Sequence, residues 1–439
     1  MEVRPFKAYR YDAGIVGDVG ACIAPPYDVI NAEQQEALYK QSEYNIVRVI
    51  RGKAEDGDDE KDNQYTRAAD YLNKWISEGA LKEDAKESIY GYVQDFEVGS
   101  EHFQRLSFVA LAKLEEFGPP GPVRPHEKVL EKPMLDRLNL KRATRARFGL
   151  VFMLYEDPQR VAETIISKAM EHTPSVDFTD DQGVRHRLYS IAEESEIAAV
   201  TRMMADKTCI IADGHHRYTT GLKFSKELDT PAAKYQMLAF TNSCQDGLVV
   251  LATHRLVMGL EHFDLSKLLA DLGKEFELTT FTFDADGRDK EAALQKMLET
   301  MRDEHAADRN AFGIYGGDGA FHIATLKDKS AMDDLAPEMS EAWRHLDVSV
   351  LHKLILEQLL KIDEDKQAQG GYLQYVKDTP TAIGDSIAAV DAGERQAAFF
   401  MNPVKMQQLR EVTDIGERMP QKSTYFYPKM FTGLTINKL

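Results

Sequence analysis

Cys209-Ile210-Ile211-Ala212-Asp213-Gly214-His215-His216-Arg217-Tyr218 is the stretch that decides how this chain is read. Four apolar residues end abruptly at Asp213-Gly214. From His215 the pattern turns helical, with Tyr218, Leu222 and Leu228 as apolar positions and Lys223 and Lys226 as solvated ones. The stretch predicts a buried strand, a tight turn and a helix start. Gly214 can adopt a positive φ and lets another molecule approach the backbone closely. Free N–H groups at a helix N-terminus attract anions, and His215, His216 and Arg217 place side-chain donors beside them. The arrangement suits a phosphate. A plainer reading makes Asp213 an N-cap and Arg217 a solvated first-turn residue. Against it, two histidines and an arginine oppose the helix dipole, which favours acids at that end.

Around this stretch lies a chain of 439 residues, 43% hydrophobic and 29% charged, the composition of a globular protein of two or three domains. Its formal net charge of −18 disfavours nonspecific binding to nucleic acid or to anionic membranes, where a basic surface supplies most of the affinity. A small anion in a locally cationic pocket is still allowed. Cys22, Cys209 and Cys244 are widely spaced, with no C-x-x-C pattern, and read as reduced residues of a cytoplasmic protein. No signal-peptide pattern opens the chain and no run of about 18 apolar residues occurs, so neither export nor a membrane span is expected. The expected partner is a small molecule; the oligomeric state is open.

The pattern predicts a helix over 32–40, a strand over 44–50, and antiparallel strands over 89–96 and 106–114. Gly118-Pro119-Pro120-Gly121-Pro122 breaks the chain and delivers it into Arg124-Pro125-His126-Glu127-Lys128. A strand over 148–155 and a helix over 158–171 follow, and a strand over 238–242 is expected to pair with the one before the Asp213 turn. Beyond Leu256 helices and strands alternate, with a hairpin at Gly316-Gly317-Asp318-Gly319 and a strongly amphipathic helix over 347–360. The fold class is α+β: a mixed sheet carrying the strand–loop–helix site in residues 1–260, and a C-terminal α/β region in 261–439.

Other clusters are candidates for chemistry. His126-Glu127-Lys128 sits on a loop, where a histidine, a carboxylate and an amine can serve as ligands or general base, or remain simply solvated. Asp28, in the turn Pro25-Pro26-Tyr27-Asp28, is either an Asx-turn residue or a Mg²⁺ ligand. Thr253-His254-Arg255 follows an apolar run, and its arginine is either a structural partner of a carboxylate or a ligand group. Residues 418–429, from Arg418 through Lys422, Ser423 and Tyr427 to Lys429, are dense in cations and aromatics. They are expected to fold back, with Lys422 and Ser423 presented to an anion or the aromatics plugging the core. No P-loop, nucleophile elbow or H-E-x-x-H motif occurs. His215 and His216 diverge by about 100° on a helix and do not readily share a zinc ion.

The loop Asp213 to Tyr218 resembles the Gly-x-His-Arg loop of the ParB/sulfiredoxin superfamily, whose members include sulfiredoxin, the ParB nucleotide switch and archaeal free-serine kinases. More of the chain resembles a widespread prokaryotic family, number 1015 among the domains of unknown function. The matching pieces are Ala24 to Ile30, Tyr44 to Arg48, Pro125 to Lys128, Asp136-Arg137, Ala212 to Tyr218, Thr253-His254-Arg255 and Arg418 to Lys429. Ala252 departs from the pattern, where proline is expected. The resemblance implies a nucleotide- and Mg²⁺-dependent phosphotransferase using ATP or ADP on a small hydroxyl metabolite, with free L-serine the most concrete acceptor. Gly214, His215, His216 and Arg217 would hold phosphates, joined by His126, Lys128, His254, Arg255, Lys422 and Ser423. Glu127 or Asp213 would take the hydroxyl proton, and Asp28 would bind the metal. A nucleotide-responsive regulator without turnover, or a phosphoester hydrolase, is the alternative.

Overall fold

The computed structural model describes residues 1–129 and 131–439. Its described strands and helices form two units, residues 1–249 with 428–439, and residues 250–427. The division thus falls before Leu260, and the chain's last twelve residues belong to the first unit.

In the first unit, Val3–Arg4 (β1), Ile89–Val98 (β2), Glu101–Lys113 (β3), Val123–Pro125 (β4), Val151–Tyr155 (β5), Val176–Thr179 (β6), Arg185–Ile191 (β7), Cys209–Asp213 (β8) and Tyr235–Asn242 (β9) make one mixed sheet. Its order is β4-β8-β5-β9-β3-β2-β7-β6, with β1 also on β3. The pairs β8–β4 and β9–β5 are parallel, and the rest of that path is antiparallel. Central strands covered on both faces read as continuous apolar runs, which is why Cys209, Ile210, Ile211 and Ala212 carry no alternation. Phe108 of β3 and Phe240 of β9 stack with ring centres 5.0 Å apart in this core.

Two helices frame the turn. Glu131–Thr144 (α1) has no counterpart among the sequence expectations, while His215–Leu228 (α2) is the helix expected after Gly214. Tyr218 and Leu222 are buried, and Lys223 and Lys226 are exposed. The Tyr218 hydroxyl donates to Glu115 O at 2.9 Å and accepts from Glu115 N–H at 3.0 Å, tying α2 to the end of β3.

The second unit contains Thr253–Val257 (β10), Leu265–Glu275 (α3), Phe276–Thr282 (β11), Lys290–Ala306 (α4), Ala311–Tyr315 (β12), Ala320–Leu326 (β13), Leu373–Lys377 (β14) and Ala397–Phe400 (β15). Its sheet, β11-β13-β12-β15-β10-β14, is antiparallel throughout. Met297 and Met301 of α4 pack on it with Phe321, Ile323 and Phe400. Together the units are α+β, one mixed sheet and one antiparallel sheet with helices.

Three local expectations are corrected. Residues 44–50 are not a strand, because Val47–Ile50 is a helical turn. Asn45, fully buried, accepts from Val47 N–H at 2.9 Å and donates to Ala21 O at 2.7 Å, and this side-chain turn outweighs the β preference of the valines and isoleucines. Second, β9 does not pair with β8; β5 lies between them. Third, the amphipathic segment 347–360 is α-helical only over Asp347–Val350 and continues as a π-helix over Leu351–Leu359. Among the described residues no helix is long and apolar enough to cross a membrane.

Candidate functional site

The strand-to-helix turn is built around Gly214, whose φ of 96° and ψ of 29° lie in the left-handed region. A Cβ there would sit 3.0 Å from Arg217 Nε and 3.1 Å from its Cζ, so glycine is required by conformation and by the arginine folded against it. The N-cap makes no side-chain hydrogen bond to the first turn of α2. Arg217 is 9% exposed. It donates from Nη1 to Leu150 O and from Nη2 to Asp213 Oδ2, and its buried Nε has no acceptor among the described residues. It is therefore a buried, carboxylate-paired side chain rather than a solvated first-turn residue.

Asp213 is gripped from both sides, by Arg217 on Oδ2 and by Lys429 Nζ on Oδ1 at 2.7 Å. Burial pushes its carboxyl upward, but Lys429 and Arg217 prevail and hold it well below the usual carboxylate range. Lys429 is delivered by backbone grips next to it: Arg105 Nη2 donates to Pro428 O, and Gln94 Nε2 donates to Lys429 O at 3.0 Å.

On the other side of the turn, His215 is buried and its Nε2 accepts from His126 N–H at 3.2 Å and Glu127 N–H at 3.3 Å. His126 is fully buried, with Nδ1 2.6 Å from Ile211 O and its ring centre 4.6 Å from that of His215. Burial lowers the His126 pKa against the pull of the Glu127 and Asp213 carboxylates. The turn thus carries the Glu127 backbone beside α2, with Lys128 exposed next to it and His216 half-buried.

Arg217 also lines a cavity of about 60 Å³ with Tyr27, Arg137, Lys141, Arg147 and Gln236. Arg137 Cζ lies 3.9 Å from the centre of the Tyr27 ring, and its Nε donates to Asp136 Oδ2 at 2.7 Å. Burial and Asp28 push the Tyr27 hydroxyl pKa up, opposed by Arg137 and Arg217. The turn Pro25 to Asp28, the pair Asp136-Arg137, the Asp213 turn and Lys429 therefore meet inside one unit. Asp28 itself is exposed.

His254, Arg255, Lys422 and Ser423 form another group, inside the second unit. Arg255 donates to Thr253 O and, at 3.0 Å, to Lys422 O. His254 Nδ1 accepts from Met401 N–H at 3.1 Å, and its Nε2 lies 3.3 Å from Asp378 Oδ1. Ser423 is buried, its hydroxyl 2.5 Å from Pro420 O.

Sequence reasoning singled out Lys422 and Ser423 of the tail, whereas Lys429 is the tail cation that reaches Asp213. It also assigned no role to Arg137, Lys141 and Arg147. Residues 137 and 141 stand four apart on α1, the spacing that puts two side chains on one helical face, and that signal was available.

The chain is similar, at low level, to solved structures that include a free serine kinase in complex with AMP (14% identity, 72% of this chain and 86% of that one, TM-score 0.35). Others are a conserved hypothetical protein from Pyrococcus furiosus (14% identity, 72% and 90%, TM-score 0.32) and SbnI with C-terminal truncation from Staphylococcus aureus (10% identity, 75% and 87%, TM-score 0.33). No curated protein matches the chain. Residues 3–349 match the family described as "Protein of unknown function (DUF1015)", and the chain belongs to that family.

Proposed function

We propose that this protein is a nucleotide- and Mg²⁺-dependent phosphotransferase acting on a small hydroxyl metabolite, with free L-serine, implied by the resemblance to serine kinases, as the first acceptor to test. The observation that carries the reading is the start of α2 at Gly214. A fourteen-residue helix opens there on a left-handed glycine that has no side chain of its own, and a buried arginine lies against the turn. The positive end of a helix dipole, reached over a glycine, fits a phosphate group. Gly214 to Arg217 would hold the phosphates of ATP or ADP, with Lys128 as an exposed cation nearby.

Among the described residues no three His, Cys, Asp or Glu side chains converge to hold a metal. Mg²⁺ that arrives with a nucleotide keeps phosphate and water ligands and needs only one or two protein carboxylates, a role we assign to Asp28. Phosphoryl transfer asks the protein mainly for positioning, charge stabilisation and a base. Between the two base candidates the geometry favours Glu127. Both oxygens of Asp213 are engaged by cations, and a carboxylate held far below its usual range is a weak proton acceptor. Among the described residues Glu127 is held through its backbone N–H, which donates to His215 Nε2, and no cation pairs with its carboxylate.

The test is incubation with ATP or ADP, Mg²⁺ and a panel of hydroxy amino acids, followed by analysis for phosphorylated product. Glu127→Gln should abolish turnover while nucleotide binding persists. No product with any donor, alongside tight nucleotide binding, would replace this reading with a ligand-responsive regulator. Free phosphate released without an acceptor would make the protein a hydrolase.

A further inference from the structure

The cavity behind Arg217 is walled by four cationic side chains, Arg137, Lys141, Arg147 and Arg217, and among the described residues no carboxylate lines it. Arg137 and Arg217 each have an acid elsewhere, Asp136 and Asp213. Among the described residues Lys141 and Arg147 have none. Lys141 is 7% exposed and donates to Gln236 Oε1 at 2.7 Å, and Arg147, 3% exposed, donates to Asn437 Oδ1 and, at 2.7 Å, to Ala232 O. These partners are neutral amides and carbonyls. A buried cation without an acid is held against a large desolvation penalty, and a second cation beside it adds repulsion.

Unused donors remain as well. The Lys141 ammonium has three and spends one, and the buried Nε atoms of Arg147 and Arg217 have no acceptor among the described residues. The volume is about 60 Å³, several times the roughly 10–15 Å³ that one water requires, and so suits a group of a few heavy atoms.

We propose that this cavity is a binding site for a small oxyanion group, a phosphate or a carboxylate, held by Lys141, Arg147, Arg137 and Arg217. Burial and the neighbouring arginine push Lys141 well below its ordinary pKa, and burial with Arg4 brings Arg147 down to about 9. Both shifts are what cations lacking an anion should show. The proposal stands on the cavity's own residues and does not depend on phosphoryl transfer.

The test is thermal unfolding and calorimetric titration of the full chain with inorganic phosphate in one arm and malonate in the other. Chloride at equal ionic strength is the control. A ligand that binds only the folded state raises the melting temperature with its concentration. A rise with phosphate alone, malonate alone or both assigns the chemistry. Lys141→Met should melt higher than the unmodified protein in anion-free buffer and lose the anion-dependent rise. Arg137→Gln, at the half-buried side of the cavity, should weaken the anion about tenfold without unfolding the chain. No rise beyond chloride in either arm, or a full rise retained in both variants, overturns the proposal. Nucleotide titration of Lys141→Met in parallel separates it from the kinase reading: ADP binding retained while phosphate binding is lost leaves each to stand alone.

Discussion

Arg217 and Arg255 each follow a histidine, in Gly214-His215-His216-Arg217 and Thr253-His254-Arg255, and both are buried, yet their surroundings differ in kind. Arg217 sits on the first turn of a helix, is answered by a carboxylate, Asp213, and faces a cavity. Arg255 lies within a strand, 1% exposed, and donates to two backbone carbonyls, with His352 Nε2 at 3.4 Å and the Tyr375 ring centre at 5.4 Å; its Nε, like that of Arg217, has no acceptor among the described residues. Burial, Arg255 and Lys353 push His352 well below its ordinary pKa, so it stays neutral and can accept from the guanidinium. Among the described residues no carboxylate pairs with Arg255. The same tripeptide chemistry thus gives one arginine that shapes a site and one that closes a strand, and the secondary structure beneath it makes the difference.

Arg255→Met should break this comparison most severely. Two buried carbonyls lose a charged donor and a strand loses its cross-bracing, so the second unit should lose about 3 kcal/mol. Denaturant unfolding measures it. A loss within the range of an ordinary surface substitution would show that the cage is not structural.

Arg217→Ala should cost less stability, about 2 kcal/mol, since Asp213 keeps Lys429 after the arginine is gone. It should also weaken nucleotide and oxyanion binding about tenfold or more. Arg217→Lys sharpens the point: a lysine retains charge but cannot reach Asp213 and Leu150 O in the same fork, so stability should recover less than affinity. Equal recovery of both would mean that Arg217 acts as a point charge alone.

How much of this was legible beforehand differs along the chain. The turn at Asp213-Gly214 was readable because an apolar run, a glycine and a helical period coincide within ten residues. Helix α1 was not, because one of its buried positions is Lys141, and a cation on the inward face erases the apolar stripe that marks a helix. The cavity was hidden with it. The strand expected over 44–50 failed for a related reason: one buried asparagine outweighed four β-branched residues. Lys429 stood in a motif that was recognised, but distance in sequence gave no means of choosing it over Lys422. Partner choice between two lysines of one tail is a tertiary fact.

Lys429→Met should act on Asp213 more gently, by about 1 kcal/mol at neutral pH. Its signature is in acid. Asp213 has a folded pKa below its ordinary 3.8, so its contribution is complete above that value and is lost as pH falls through the lower, folded one. With Lys429 removed the depression shrinks, and the acid limb of melting temperature against pH should become shallower below about pH 4. An unchanged acid limb would mean that Arg217 alone sets the Asp213 charge.

Lys141→Met should change stability as little as Lys429→Met, and with the opposite sign. The folded pKa of Lys141 is depressed, so between that value and the ordinary 10.5 the unfolded chain binds more protons than the folded one. Stability contributed by this group therefore rises with pH across that window, and at neutral pH the buried amine is a net burden. Replacing it with methionine, of similar length and no charge, should stabilise the ligand-free protein by about 1 kcal/mol and flatten the alkaline limb of the stability profile. The groups facing this amine are Arg147 after α1, Arg217 of α2 and Gln236 of β9, and none is an acid that the change would orphan. Gln236 does lose a partner, which sets the upper limit on the gain. Arg255 offers the contrast: it donates to two backbone carbonyls that lose their donor with it, so its removal should destabilise. Were Lys141→Met to destabilise as Arg255→Met should, Lys141 would be a structural core residue like Arg255, and the two regions would follow one rule instead of two.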